Sequence, residues 1–491
     1  MADGRFRDRR GKVLAVSLLL VGGCAARQPF EISPPSPNRP WKAPDLPRYS
    51  AALAETEHPP AGEAGAVSID PGKQYELSEL IDIAQRSNPE TRVAWERARQ
   101  AAVGVGLAEG TYYPVIAAVA TAAVAHVPLP IPTSVVPGGI FTADTQFIIP
   151  ALSLEWLLLD FGRRRALVDA AQALAMEANV GFNAKHQQIV FEVTRNFYSL
   201  TAVRGKVAAA RAALDSARSL EEAATMRKQH EVATLPEVLQ AQEETARAAY
   251  ELQDALAAEH DTRMALLESV GIRPGAPIEV VDVSQQPLPP TLEESVDEAI
   301  DRALMQRPDL IARLAGVRAK EAEVRKARAD FWPKFAIRSA VAGNIGRLKV
   351  DNSPYQSVAD LQYDAGFRFE WTLFNGFERR NNVRLAESQQ HEAEDELEHA
   401  KDAAVREVWK AYNDTKVALA KQQAAAALLT AAEKAWEATL DSYKHELATF
   451  PDVRESQRDL ARARTLDQTA RAEVWTQAAA FAFSTGDLAR P

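Results

Sequence analysis

The sequence predicts a mainly α-helical fold with a membrane β-barrel portion, built from one helix–strand–strand–helix–helix unit written twice. Three observations carry this. Landmark peptides recur in the same order and at nearly constant spacing in the two halves of the chain, as internal repeats do. The stretch from Tyr363 to Leu373 alternates apolar and polar side chains, the period of a two-faced strand. The stretch from Phe161 to His230 holds no proline and only Gly162, Gly181 and Gly205, so it reads as one very long helical segment, about 105 Å at ~1.5 Å per residue.

The chain begins with a targeting pattern. Arg5, Arg7, Arg9, Arg10 and Lys12 precede an apolar core from Val13 to Val21, too short to span a bilayer. Gly22-Gly23-Cys24 resembles a bacterial lipoprotein cleavage box. Residues 1–23 then form a lipoprotein signal peptide, and Cys24 is the candidate lipidation site. Ala25 in the following position resembles outer-membrane sorting. The alternative is a plain secretory signal cut near Ala25-Ala26. From 24 to 74 the chain is a Pro-rich leader, with ten of the 28 prolines between Pro29 and Pro71, extended rather than packed.

Composition excludes several classes. The 491 residues carry a net charge of −10, so no basic footprint for nucleic acid exists. One cysteine excludes a disulfide framework and a cysteine zinc site. No run of about 18 apolar residues marks a transmembrane helix.

The body divides into repeat 1 (75–270), a linker (271–290) and repeat 2 (291–486). Asn88-Pro89 matches Arg307-Pro308, and Tyr112-Tyr113-Pro114 matches Phe331-Trp332-Pro333. Leu154-Glu155-Trp156 matches Phe369-Glu370-Trp371, and His230 to Val238 matches His445 to Val453. The first helix is expected over about Leu77 to Glu109. Strands are expected at about 115–126 and 144–156, then at about 334–346 and 361–373. Long helices are expected over 161–270 and 376–486. Ile189, Val193, Leu200, Val203, Val207, Ala210, Leu214 and Ala217 form a heptad stripe with Asn196 in one slot. Val408, Ala411, Ala418, Ala425, Leu429, Ala432 and Trp436 repeat it. Pro236 and Pro451 mark helix reversals, because proline suits a first helical turn.

An amphipathic strand with aromatics on its apolar face packs on a soluble core or faces lipid. The export signal and the long helices favour lipid. Only helices or closed barrels satisfy backbone polarity there. Four strands are too few to close a membrane barrel, which takes about eight or more. Several copies of the chain must therefore share one. A lipid-anchored periplasmic coiled coil with a small soluble β-domain is the competing reading.

The duplicated order of these landmarks, with Arg307-Pro308-Asp309-Leu310 and the strand ends Leu159-Asp160-Phe161-Gly162 and Phe374-Asn375-Gly376-Phe377, resembles the TolC-like outer-membrane efflux family in its lipoprotein branch. The resemblance covers about residues 75–486. It implies a homotrimer with a 12-stranded outer-membrane barrel and a long α-helical periplasmic barrel. It also implies an exit channel of a tripartite efflux or type I secretion system, passing small molecules or proteins. A periplasmic adaptor protein, an inner-membrane pump and outer-membrane lipid are the implied partners.

Site expectations follow from that resemblance. Asp452 and Glu455, with Glu237 as the first-repeat counterpart of Asp452, fall where the family lines its periplasmic aperture. A threefold axis makes each a carboxylate ring that selects cations; a helix-capping role is the alternative. His230, Glu231 and Val232, with His445, Glu446 and Leu447, form the adaptor-contacting tips. The family's tip glycine is absent from both. Glu155, Arg368 and Glu370 are polar on faces opposite aromatics: in a barrel they point into the lumen, in a soluble sheet to solvent. Trp156 and Trp371 end their strands at a membrane interface or in an ordinary core. Arg163-Arg164-Arg165 reads as a solvated helix start or an interfacial anchor.

Enzyme signatures fail. His230-Glu231 and His445-Glu446 open like a zinc-protease motif, but Thr234 and Thr449 hold the second-histidine positions. Gly104-Val105-Gly106 with Gly110 has the wrong spacing for a dinucleotide loop. No phosphate-binding loop or nucleophile elbow is present, and no cofactor or metal is expected.

Overall fold

The computed structural model describes residues 69–70, 72–130, 140–283, 286–288, 294–445 and 447–488. The signal segment, Cys24 and Glu446 lie outside them. Fourteen elements follow in order: β1 (Gln74–Tyr75), α1 (Leu77–Ser87), α2 (Pro89–Gly110), β2 (Val115–Pro130), β3 (Ile140–Leu159), α3 (Arg163–Gln229), α4 (Leu235–Val270), β4 (Glu279–Val280), α5 (Val296–Gln306), α6 (Pro308–Ala329), β5 (Lys334–Val350), β6 (Gln356–Glu370), α7 (Glu378–Lys444) and α8 (Phe450–Thr485).

The expected single first helix is two. Asn88 and Arg307 stand before proline, where the α region is disfavoured, and adopt extended backbone with ψ of 125° and 122°. Each break is stitched to the helices beside it. Asn88 caps α2 by accepting from Glu90 N at 2.8 Å and donates Nδ2 to Ser269 O at 2.9 Å. Arg307 holds Asp309, Glu407 and Ser484 O. Gly271, at φ +78°, abuts Asn88: a Cβ there would lie 2.6 Å from Asn88 Cα.

α3 and α7 each run 67 residues and α4 and α8 each 36, so the long pair reaches about 100 Å. Most of the heptad stripe is buried: Ile189, Val193, Leu200, Val207, Leu214 and Ala217. Asn196 uses its slot to donate to Ala265 O at 3.1 Å. Ile189, Val193, Phe197 and Leu200 meet Leu266, Leu267 and Val270 of α4, together with Leu80 and Ile278, in the largest apolar cluster. The expected linker joins this core. Its Glu279–Val280 pairs in parallel with Gln74–Tyr75, at the end of the expected leader. Two-residue strands leave no sequence period to read.

The four long strands form one antiparallel sheet in the order β2-β3-β5-β6. They outrun the expected ranges at the hairpin ends, but β6 stops at Glu370, not 373. Trp371 donates Nε1 to Phe331 O at 3.1 Å, and the chain turns through Gly376 (φ +64°) and Phe377 (φ +68°) into α7. Trp156 donates to Tyr112 O at 2.8 Å, and Phe161 and Gly162 take the same left-handed turn.

Arg164 corrects the reading of its charge run. Its side chain is 6% exposed and bridges Asp160 at 3.0 Å. Its guanidinium donates to the carbonyls of Thr111, Leu157 and Leu158 and lies over the Tyr112 ring. It is a clamp between strand ends and helix, and it is not solvated. Arg379 repeats the clamp more loosely on Asp330 O and Leu373 O.

Candidate conduction path

Directly opposed residues of an antiparallel pair share a face, and faces alternate along each strand. The register therefore sorts the sheet. One face carries Ile148, Leu152, Leu154 and Trp156 of β3, then Phe335, Ile337, Val341 and Ile345 of β5, then Leu361, Tyr363, Phe367 and Phe369 of β6. The other face carries Glu155, Arg338, Lys334, Asp360, Gln362, Asp364, Arg368 and Glu370. Glu155, Arg368 and Glu370, singled out in the sequence, thus share the polar face. Arg338 stands 3.7 Å from Glu155, and Arg368 3.5 Å from Glu370. Lys334 and Arg338 were not singled out, although the alternation with Phe335, Ile337 and Ser339 already put them there. β2 is mostly alanine and valine on both faces, which leaves its pattern weak.

Both faces are exposed in the single chain. Phe367 is 85% and Tyr363 79% exposed. Aromatic surface of that extent is costly in water, at roughly 25 cal/mol per Å², and marks a face meant for another environment.

At the far end of the long helices the two tips are built alike. α3 closes with Val232 N donating to Arg227 O at 2.9 Å and Glu231 N to Lys228 O at 3.0 Å. This is a Schellman closure, whose turning residue is usually glycine. Here Glu231 takes the left-handed conformation at φ +62°. In the second tip Leu447 N donates to Ser442 O at 2.8 Å. His230, Glu231, His445 and Leu447 are exposed, and Val232 is 55% exposed. His445 is held by Asp441 O at 2.9 Å.

The three aperture candidates differ. Asp452 caps its helix: its Oδ2 accepts from Thr449 Oγ1 at 2.6 Å and Thr449 N at 2.8 Å. These bonds, the hydroxyl's first, hold its pKa below the usual carboxylate value. Glu237 occupies the same place in α4 without a capping box, half-buried. Glu455 is exposed one turn farther along α8. Among the described residues no group of three or more His, Cys, Asp or Glu is placed to hold a metal ion.

Sequence reasoning missed the ties between the two helix pairs. Tyr443, Phe450 and Val453 pack on Leu220, Ala224, Val238 and Ala241, and Arg227 lies over the Tyr443 ring at 4.7 Å. Arg458 Nε donates to Glu244 Oε1 at 2.9 Å, and Gln457 to Ala213 O at 3.2 Å. Each pair joins one repeat to the other, which no local spacing reveals.

Among the described residues no helix is long and apolar enough to cross a membrane. The two-faced sheet is the element suited to lipid.

Comparison with known proteins agrees with this geometry. The family model described as outer membrane efflux protein matches residues 80–271 and 299–487, one segment in each repeat. Protein CyaE of Bordetella pertussis is 26% identical over 497 residues, covering 98% of this chain and 96% of that protein. The outer membrane protein VceC of Vibrio cholerae is 20% identical with a TM-score of 0.69, covering 84% of this chain and 96% of that one. The CmeC outer membrane channel of Campylobacter jejuni is 16% identical with a TM-score of 0.71, covering 93% of this chain and 94% of that one. Because both repeats answer to the family model and the whole fold to solved channels, the chain belongs to the outer membrane efflux protein family: it is an exit channel of the bacterial outer membrane and not an enzyme.

Proposed function

We propose that the channel is a homotrimer in which three four-stranded sheets complete one twelve-stranded barrel. The observation that carries this is the sheet itself: it is open, with β2 and β6 as unpaired edges, and lipid admits no open edge. The apolar face runs from Phe335 to Ile345, about 33 Å along a strand at ~3.3 Å per residue. At the usual tilt of about 40° that is roughly 25 Å, the height of a membrane band. Glu155, Arg368 and Glu370, with Arg338 and Lys334, line the aqueous lumen. α3, α4, α7 and α8 continue the duct into the periplasm.

Conduction then needs no bond chemistry. Glu237, Asp452 and Glu455 stand at the aperture end, and a threefold axis makes each one a ring that favours cations and repels itself when narrow. The tips His230 to Val232 and His445 to Leu447 receive a periplasmic adaptor, which connects the duct to an inner-membrane pump. Cys24, lipidated, anchors the mature chain in the outer membrane.

Size measurement of detergent-purified protein tests the assembly. A heat-modifiable trimer is expected, and a detergent-independent monomer contradicts it. The mass of the mature N-terminus tests the anchor, because a diacylglycerol and an amide-linked acyl group on Cys24 each add a discrete mass.

A further inference from the structure

The duplicated unit carries more than a family likeness, because its geometry repeats with its sequence. In the first hairpin Val115 pairs with Glu155. The spacing that carries Pro114 to Pro333 carries Val115 to Lys334, and the spacing that carries Trp156 to Trp371 carries Glu155 to Glu370. Lys334 and Glu370 pair in the second hairpin. These two spacings therefore convert any contact made by one repeat into the contact its equivalent should make.

One junction inside the chain has no counterpart inside the chain. Where repeat 1 meets repeat 2, β3 pairs with β5, and α6 lies against α3. The equivalent junction joins the end of repeat 2 to the start of repeat 1, and its two sides are the open edges β6 and β2. The helices beside them show the missing neighbour. α2 and α6 are equivalent and both 22 residues long. α6 lies between α3 and α7 and buries Leu310, Ala315, Val317, Ala319, Ala322, Val324 and Ala329. α2 buries only Thr91, Ala98 and Ala108. Ala322 is fully buried, whereas its equivalent Val103 is 64% exposed.

We infer that a second copy of this chain covers that edge in one defined register, obtained by carrying the internal junction across. The internal pair Glu155–Arg338 becomes Glu370 with the partner's Val119. Ala151–Ala342 becomes Gly366 with the partner's Ala123, and Ile148–Ile345 becomes Tyr363 with the partner's His126. Faces agree throughout: Gly366 lies on the polar face, as Ala342 does, and Tyr363 on the apolar face, as Ile345 does. The helical seam follows the same rule. Gly316 of α6 lies against Glu177 of α3, its built Cβ 3.4 Å from the carboxylate. The equivalents are Glu392 of α7 and the partner's Arg97. Both positions are exposed in the single chain, and their charges are opposite. This deepens the trimer reading and rests on it.

Cysteine pairs in the full-length protein test the register. Gly366→Cys with Ala123→Cys brings two Cα atoms within the ~4.4–6.8 Å that a disulfide needs. Gly366 has open space where its Cβ would sit. Gly366→Cys with Ala125→Cys, or with Val119→Cys, stays on the same face but two or four residues out of step, beyond ~7 Å. Under mild oxidation the first pair should link subunits nearly completely. The two offset pairs, and Gly366→Cys alone with native Cys24, should give under one tenth of that yield. Linking at an offset pair, or at none, in a protein that is still a trimer overturns the register and leaves the trimer reading standing. A monomer overturns both. Independently, Arg97→Glu and Glu392→Arg should each lower the trimer's dissociation temperature by several degrees, with the double exchange recovering most of the loss; equal, additive losses contradict the seam.

Discussion

Arg164 and Asp160 form a buried ion pair at the point where the sheet hands the chain to its longest helix: 3.0 Å apart, with side chains 6% and 7% exposed. Asp160 also accepts the helix's own Arg164 N at 2.9 Å. The remaining guanidinium nitrogens donate to the carbonyls of Leu157 and Leu158 near the end of β3 and of Thr111 at the end of α2. Gly162 at φ +94° makes the turn between them.

Removing one partner of such a pair leaves an uncompensated buried charge, about 3–5 kcal/mol. Arg164→Ala should therefore cost several kcal/mol of stability, or abolish assembly, while exposed Arg165→Ala changes stability by about 0.5 kcal/mol or less. Thermal unfolding in detergent compares the two. Equal losses would show that the clamp contributes nothing.

The tip turn at Glu231 stores strain that glycine would release. A non-glycine residue in the left-handed region costs about 1 kcal/mol, and the Glu231 side chain is exposed. Glu231→Gly should stabilise the first tip by about that amount and increase amide-exchange protection around Arg227 to Val232. Faster exchange there would contradict the strain.

Gly346 sits opposite Phe147 in the sheet, and a Cβ on it would collide with Gln146 O and the Phe147 ring. Gly346→Val should cost several kcal/mol by overpacking and strand displacement. Gly366→Val, whose Cβ would meet nothing within its own chain, should cost far less. Yield of folded, heat-modifiable protein reads the difference.

Asp467 of α8 is 7% exposed, and burial raises its pKa, opposed by the charge of Arg471 and reinforced by Glu433. A carboxyl whose folded pKa lies above its unfolded value is a liability above the folded pKa, and the liability fades as pH falls toward the unfolded one. Asp467→Asn should thus stabilise the protein at neutral pH, and the gain should shrink on acidification. Asp309 runs the other way. Burial resists its ionisation, but Arg307's hydrogen bonds and charge hold its pKa below the usual carboxylate value, so its contribution is present above the unfolded value and lost as pH falls through the folded one. Unfolding midpoints of both Asn variants between pH 7 and 3 check the signs. A pH-independent gain for Asp467→Asn would contradict the first.

Period and order were legible in the residues: the alternation from Tyr363 to Glu370, the heptad stripe from Ile189 to Ala217, and the two matched sets of landmarks. What escaped reading depends on three-dimensional partners. Arg164 looks like its neighbours Arg163 and Arg165 until the carbonyls of Thr111 and Leu157 are beside it. Arg458 and Glu244 meet from opposite repeats, far apart along the chain. β1 and β4 are too short for a period. Asp452 was readable as aperture or cap, and its bonds to Thr449 show the cap.

Conductance tests the central claim most directly. Detergent-purified full-length protein added to a planar bilayer should insert in uniform steps. Its current should be cation-selective and weaken on Glu237→Gln, Asp452→Asn and Glu455→Gln combined. A bilayer that stays silent while the protein is trimeric in the same detergent would contradict a conducting duct.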